Sequence, residues 1–275
     1  MTQTLRSLAV AGIFSMVFVA CKKDVKEPVA EPVSADILAS VKGLGFSTKD
    51  VKKVDGGYLV ENDIVLTGEQ LAAAAPSTPN MLIAQEEQYR TFNLVNPSYY
   101  PTIRVALNNS SSAHQSAFSY ALDEAIRRYN ALGLRIKFSR VTSSPHTTVK
   151  AYYEVSNTLG SAGFPTSGGA PYYQVLMNTY HYSTSTGSTN INYIATIMAH
   201  EIGHCIGFRH TDYMNRSYSC GSGGNEGQST TGVGAVHIPG TPTGPDAYSW
   251  MLACIGKGVN RPFNSNDRTA LYYIY

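Results

Sequence analysis

Charge is scarce in this chain. Of its 275 residues only 15% are Asp, Glu, Lys or Arg, and the formal net charge is +2. A balance so near neutrality gives no electrostatic footprint for nucleic acid. A long hydrophobic run is missing as well. The apolar stretch Leu8–Ala20 is too short for a comfortable membrane span and follows a single charge, Arg6, so residues 1–20 read as an export signal. Cysteine is confined to four positions, 21, 205, 220 and 254. What remains is a low-charge chain rich in Tyr, Ser, Thr, Asn and Gly, the character of an exported protein, and long enough for one medium domain plus a smaller segment.

The most informative stretch is His200-Glu201-Ile202-Gly203-His204-Cys205-Ile206-Gly207-Phe208-Arg209-His210. Two histidines four apart on a helix lie on one face, one turn apart, so His200 and His204 can reach one metal ion. Glu201 can then stand beside the metal without being obliged to bind it. Gly207 allows the left-handed turn that ends a helix and brings His210 round as a third ligand. Three histidines leave a fourth position for water, the mark of a catalytic zinc site rather than a closed structural one. Finding the glycine and third histidine at fixed offsets lowers the chance rate of the short motif by roughly two orders of magnitude. Cys205 falls on the opposite helix face and reads as a small buried residue, not a ligand.

Along the chain, Lys22–Pro32 reads as a tether, and Ser34–Gly45 and Thr67–Ala75 as short helices. Between them come strands Tyr58–Val60 and Ile64–Leu66, joined by a turn at Glu61–Asp63. Pro76 and Pro79 mark a boundary, so residues 21–90 form an N-terminal unit without a large core and 91–275 the catalytic domain. That domain shows strands at Thr102–Leu107, Leu134–Val141, Thr147–Val155 and Tyr172–Asn178, and a helix at Ala113–Ala131. Ser161–Pro171 reads as irregular. The metal-site helix is expected from Asn190, as its cap, to Ile206; Ser219–Pro245 as a long surface excursion; Asn266–Tyr273 as the last helix. The pattern is α+β, with a mixed sheet packed on helices. With Cys21 set apart, Cys220 and Cys254 are the favoured disulfide, since both lie in loop-rich sequence beyond the metal-site helix, and Cys205 stays free.

The extended motif resembles that of the metzincin zinc endopeptidases, and His200–His204 spells the five letters of their bacterial dual-action HEIGH branch. The likeness continues through Thr211-Asp212, Cys220-Gly221, Ile238–Pro242, Ser249-Trp250-Met251, Phe263–Asp267 and Leu271–Tyr275. It implies a metzincin-like fold: a mixed twisted sheet, a zinc-site helix, a methionine turn at Met251 flooring the metal, and a C-terminal helix. It also implies one catalytic zinc on His200, His204 and His210, with Glu201 as general base and acid. A tyrosine that some metzincins carry two residues after the methionine is Ala253 here, so any donor to the transition state must come from elsewhere. The family lays its substrate along an exposed sheet edge; Ser161–Pro171 is the candidate for that edge, with a plain surface loop as the alternative.

Glu61-Asn62-Asp63-Ile64 resembles an astacin-type pro-segment motif in which an aspartate caps the zinc, against the simpler reading of Asp63 as a hairpin-turn residue. A cysteine switch is excluded, because only Cys21 precedes Cys205. Asp212 reads either as a hydrogen-bonding partner of the post-helix turn or a ligand, or as solvated. Phe18-Val19-Ala20-Cys21 resembles the bacterial lipobox, which implies lipidation at Cys21, a membrane association through that anchor only, and an outer-membrane or cell-surface site, with release after processing; an ordinary secretory signal is the alternative. The combined expectation is a zinc metalloendopeptidase acting on proteins or peptides. Its rival is a surface binding or adhesion lipoprotein that keeps zinc without proteolysis. Cleavage preference, calcium and oligomeric state are not legible in the sequence.

Overall fold

A strand hairpin from the N-terminal unit extends the main sheet in the computed structural model, which describes residues 32–74, 88–108, 112–226, 232–242 and 244–275. Cys21, the lipobox and the proposed export signal lie outside these residues. In chain order the elements are α1 (Ala35–Gly43), β1 (Lys52–Val54), β2 (Gly57–Val60), β3 (Ile64–Leu66), α2 (Gly68–Ala72), β4 (Tyr89–Arg90), β5 (Thr102–Asn108) and α3 (Gln115–Asn130). They continue with β6 (Lys137–Arg140), β7 (Thr147–Tyr152), β8 (Gly160–Gly163), β9 (Gln174–Asn178), α4 (Ser188–Cys205), α5 (Ser217–Cys220), β10 (Val236–His237) and α6 (Ser265–Ile274). No helix of the described residues is long and apolar enough to cross a membrane.

The eight-stranded sheet runs β1-β2-β3-β8-β9-β7-β5-β6. Strands β9, β7, β5 and β6 are mutually parallel, whereas β8 is antiparallel to β9. The fold is therefore α+β with a mixed sheet. Apolar residues at helical spacing on α3 (Ala117, Phe118, Ala121, Leu122, Ala125) pack with α4 residues such as Ile194 and Met198 in the main core. That core also takes in sheet residues Val105, Val149, Val175 and Met177. A smaller cluster joins Val41, Leu44, Phe46, Val60, Ile64 and Leu66 of the N-terminal unit to Phe164 and Val233. The unit thus completes its core by borrowing from the rest of the chain, as expected for so short a segment.

Three expectations need correction. The glycine-rich Ser161–Pro171 is not irregular throughout: its start belongs to β8, and that strand is no open edge. β3 pairs with its outer side in parallel, Ile64 opposite Ala162 and Val65 opposite Gly163. Glycine permits this approach, because a Cβ on Gly163 would stand 2.7 Å from the Val65 carbonyl oxygen. The metal-site helix starts at Ser188, not at Asn190, with Gly187 in the cap position. Asn190 donates its amide to the carbonyls of Ser183 and Ser185, tying down the preceding loop. The Ser219–Pro245 stretch is not merely a surface excursion either, since Glu226, Val233, Ala235 and Ile238 are buried and β10 pairs with β4.

Candidate active site

α4 is buried from Tyr193 to Cys205, and its last turns carry His200, Glu201 and His204 into the interior. Two glycines make the arrangement possible. A Cβ on Gly203 would meet the Met251 sulfur at 2.5 Å, so glycine lets the methionine turn pass directly under the helix. Gly207 has φ +108°, and its backbone reverses the chain after the helix as the motif requires. His210 then returns to the helix end, and the three imidazoles face one another with ring centroids 4.8 to 5.3 Å apart.

Each ring has one nitrogen spoken for. His200 Nδ1 lies 2.8 Å from the Trp250 carbonyl and His204 Nδ1 2.8 Å from that of Phe208. His210 Nδ1 is 2.6 Å from Glu226 Oε1. A carbonyl accepts only from N–H, so His200 and His204 carry the proton on Nδ1 and present a bare Nε2 inward, whereas His210 lies between two carboxylates, Glu226 at Nδ1 and Asp63 at Nε2. One ligand atom from each histidine and one carboxylate oxygen of Asp63 lie within 4.8 Å of one another. The Nε2 atoms of His204 and His210, Oδ1 of Asp63 and Oε2 of Glu201 are buried without a hydrogen-bond partner. Buried polar atoms left so are costly unless something else meets them. Three imidazoles and a carboxylate around one point are a donor set that suits zinc.

Electrostatics keep two of the three rings neutral. Burial alone would lower His210 as well, but the Asp63 and Glu226 carboxylates outweigh it and raise its pKa to about 10, so this ring has to shed a proton before it can bind a metal. Burial, followed by the proximity of His210, pushes the His200 pKa down to about 4. Burial also holds His204 well below its ordinary value, so both stay neutral, as metal ligands must. Glu201 is driven the other way: burial and then the Asp63 carboxylate raise it well above the usual carboxylate range. Burial alone would raise Glu226 as well, but His210, Arg216 and Arg209 outweigh it and keep Glu226 ionised.

The remaining residues singled out in the sequence fall into place around this centre. Met251 is fully buried and its carbonyl accepts from Thr211 N at 2.9 Å, which ties the methionine turn to the segment carrying His210. Asp212 is fully buried rather than solvated: Oδ1 accepts from Ala253 N at 3.0 Å and Oδ2 from Ser219 Oγ at 2.6 Å. It holds the turn after the third histidine and touches no ligand ring. Cys220 and Cys254 are joined as a disulfide, and Cys205 is free and buried. Asp63 lies in the β2–β3 turn, and its carboxylate reaches His210 Nε2 at 3.0 Å.

Three residues of the site carried no signal in the sequence. Glu226 sits in a glycine-rich loop with no periodicity, yet it binds His210, Arg216 and Arg209. Arg216 joins Glu226 at 2.7 Å and reaches Glu61 at 3.7 Å. Gly160 faces Glu201, and a Cβ there would stand 2.9 Å from Oε1.

Comparison with known proteins decides the family. The sequence matches that of the dual-action HEIGH metallo-peptidases over residues 58–275. The chain belongs to this family. A solved structure, that of myroilysin, is similar to this HEIGH metallopeptidase over 66% of its chain and 96% of the myroilysin chain, at 15% identity and a TM-score of 0.40. Comparison with curated proteins finds no match. The family match begins at Tyr58, and so takes in the hairpin that carries Asp63.

Proposed function

We propose that this HEIGH metallopeptidase is a zinc endopeptidase held silent by its own N-terminal unit. The observation that carries the reading is the convergence of His200, His204, His210 and Asp63 on one point, with Glu201 alongside. Zinc held by the three histidines supplies Lewis acidity toward the scissile carbonyl and the attacking water. Glu201 takes the water's proton on Oε2 and returns it to the leaving amine nitrogen. Glu226 keeps the Nδ1 proton of His210 in place, and Met251 supports the rings from below. Asp63 stands where a further ligand would go, and β3 covers the sheet edge to which a substrate backbone would add. Cutting between about 70 and 95 would free both positions.

The disulfide supports an oxidising compartment. Together with the Leu8–Cys21 signal it favours an exported lipoprotein on a bacterial outer membrane or cell surface, released by the same activating cut. Zinc content and cleavage of a quenched mixed-sequence peptide library, on the full chain with and without limited proteolysis, test the reading. The expected result is about one zinc per chain in both wild type and Glu201→Ala, with cleavage by wild type alone. Zinc binding without cleavage, even after proteolysis, would leave the binding lipoprotein as the better account.

A further inference from the structure

The cavity beside Glu201 has a volume of about 720 Å³, and its charged lining divides by origin. The N-terminal unit contributes Lys49, Asp50, Glu61 and Asp63. Among the described residues of the remaining chain, apart from His200, the ionisable groups lining it are Glu201, Arg216 and Arg261. The two arginines stand at opposite ends of one disulfide. Arg216 Nη2 is 3.9 Å from the Cys220 sulfur, and Arg261 Nη1 is 3.4 Å from the Cys254 carbonyl oxygen. Arg216 is met by an acidic side chain of the N-terminal hairpin, Glu61, at 3.7 Å. Arg261 lines the same cavity, half-buried, with no carboxylate within 4.0 Å among the described residues. Its backbone N–H is pinned to Thr196 Oγ1 at 3.0 Å, which fixes it to the metal-site helix.

Glu61 lies two residues before Asp63, and β3 runs away along the sheet edge just after it. The Glu61 side chain lines the cleft, with Oε1 accepting from the Ser47 backbone N–H at 2.7 Å and Oε2 turned to Arg216. We propose that the cleft here holds an acid-selective subsite, in which Arg216 and Arg261 receive the carboxylate of an Asp or Glu side chain next to the scissile bond, and that Glu61 is its occupant in the precursor. The inference rests on the peptidase reading above and names its substrate class. Once the hairpin leaves, Arg216 keeps Glu226 at 2.7 Å, whereas the carboxylates that act on Arg261, those of Asp267, Asp212 and Asp246, all lie beyond 4.0 Å. Charge-assisted hydrogen bonds from a part-buried guanidinium to a carboxylate are stronger than those to an amide. A neutral side chain of the same size would leave those donors unmet.

Arg216 also holds Glu226, so its removal would disturb the metal site; Arg261→Gln is the informative variant. The test uses the zinc-loaded chain cut by limited proteolysis after the hairpin, so that β3 no longer covers the sheet edge, and carrying Glu61→Gln and Asp63→Asn, so that a hairpin still bound brings neither carboxylate to the cleft. Its cuts in an equimolar peptide library, read by mass spectrometry, are expected to favour Asp and Glu over Asn and Gln about tenfold at one position beside the scissile bond. Arg261→Gln is expected to reduce that ratio to about twofold or less. Equal use of acids and amides, or a preference that survives Arg261→Gln, overturns the proposal. If nothing is cut, the peptidase reading fails separately, and the affinity of labelled peptides for the same protein decides. About tenfold tighter binding of an Asp/Glu peptide than of its Asn/Gln counterpart, lost in Arg261→Gln, upholds the subsite. Equal affinity removes it.

Discussion

Asp63 Oδ2 lies 3.0 Å from His210 Nε2, across 147 residues of chain, and brings a carboxylate from the β2–β3 turn onto the metal-binding nitrogen. Its neighbours Glu61 and Asn62 take positive φ angles of 56° and 70°, so the turn is bent into the left-handed region to deliver that side chain. Such backbone is held only where the surroundings determine it. Asp63→Ala in the full chain is expected to raise peptide cleavage about tenfold or more over the unprocessed wild type at equal zinc content. An inert variant, still folded and zinc-loaded, would mean that the turn does not restrain the enzyme.

Gly160 leaves room for the Glu201 carboxylate by having no side chain. A Cβ at this position would meet Glu201 Oε1 at 2.9 Å and the Leu176 carbonyl oxygen at 3.0 Å, and the backbone oxygen cannot yield. Gly160→Ala is therefore expected to displace Glu201 while leaving the three histidines in place. Misplacing a catalytic group by about 1 Å can cost about a hundredfold in rate. The expected result is a fall of that order in kcat with unchanged zinc content. Loss of zinc instead would show that β8 supports the ligands and not the base.

The histidine cluster was legible in the sequence because helical geometry fixes His200 to His204 locally, and one glycine fixes the turn to His210. Most strands of the main sheet and α3 were legible for the same reason, each being a local periodicity, but β1 is too short to show one and β8 lies in glycine-rich sequence that has none. Asp63 was visible only as an alternative, because nothing local says which distant group a turn faces. Glu226 was invisible. Its role depends on a loop with no period folding back to His210, and a buried carboxylate there is tolerable only beside Arg209 and Arg216. Asn190 misled for a related reason: its amide found loop carbonyls closer than the helix N–H groups it was expected to cap.

Glu124 binds two arginines of its own helix, and one of them, Arg128, ties α3 to α4. Its carboxylate binds Arg127 at 2.7 Å and Arg128 at 2.9 Å, and Arg128 continues to Thr196 on α4 at 3.1 Å. Hydrogen bonds from Arg127 lead the causes that lower its pKa to about 2. A folded-state pKa depressed in this way gives stability that is complete above the unfolded value of 4.5 and fades as pH falls toward about 2. Glu124→Gln should cost about 2 kcal/mol at pH 7 by urea unfolding, allowing for the exposure of Arg127. The difference from wild type should shrink through the window between those two pKa values. A difference independent of pH would assign the loss to packing.

Glu226 bears on metal affinity and stability together. It accepts the His210 Nδ1 proton at 2.6 Å while neutralising two buried guanidinium groups, Arg209 at 3.3 Å and Arg216 at 2.7 Å. Glu226→Gln keeps the shape but removes the charge, so His210 keeps at best a neutral amide oxygen in place of the carboxylate that fixes its tautomer. A change of this kind typically costs 10 to about 100-fold in metal affinity. Arg209 is fully buried and also donates to the Val233 carbonyl, but it would have no carboxylate within 4.0 Å among the described residues. Leaving a buried charge unpaired costs about 3–5 kcal/mol. Competition with a chelator should show the weaker zinc site, and urea unfolding of zinc-free protein should show the loss of stability without any contribution from the metal. Unchanged zinc affinity would mean that Glu226 serves the two arginines alone, and that His210 keeps its orientation from the backbone turn at Gly207.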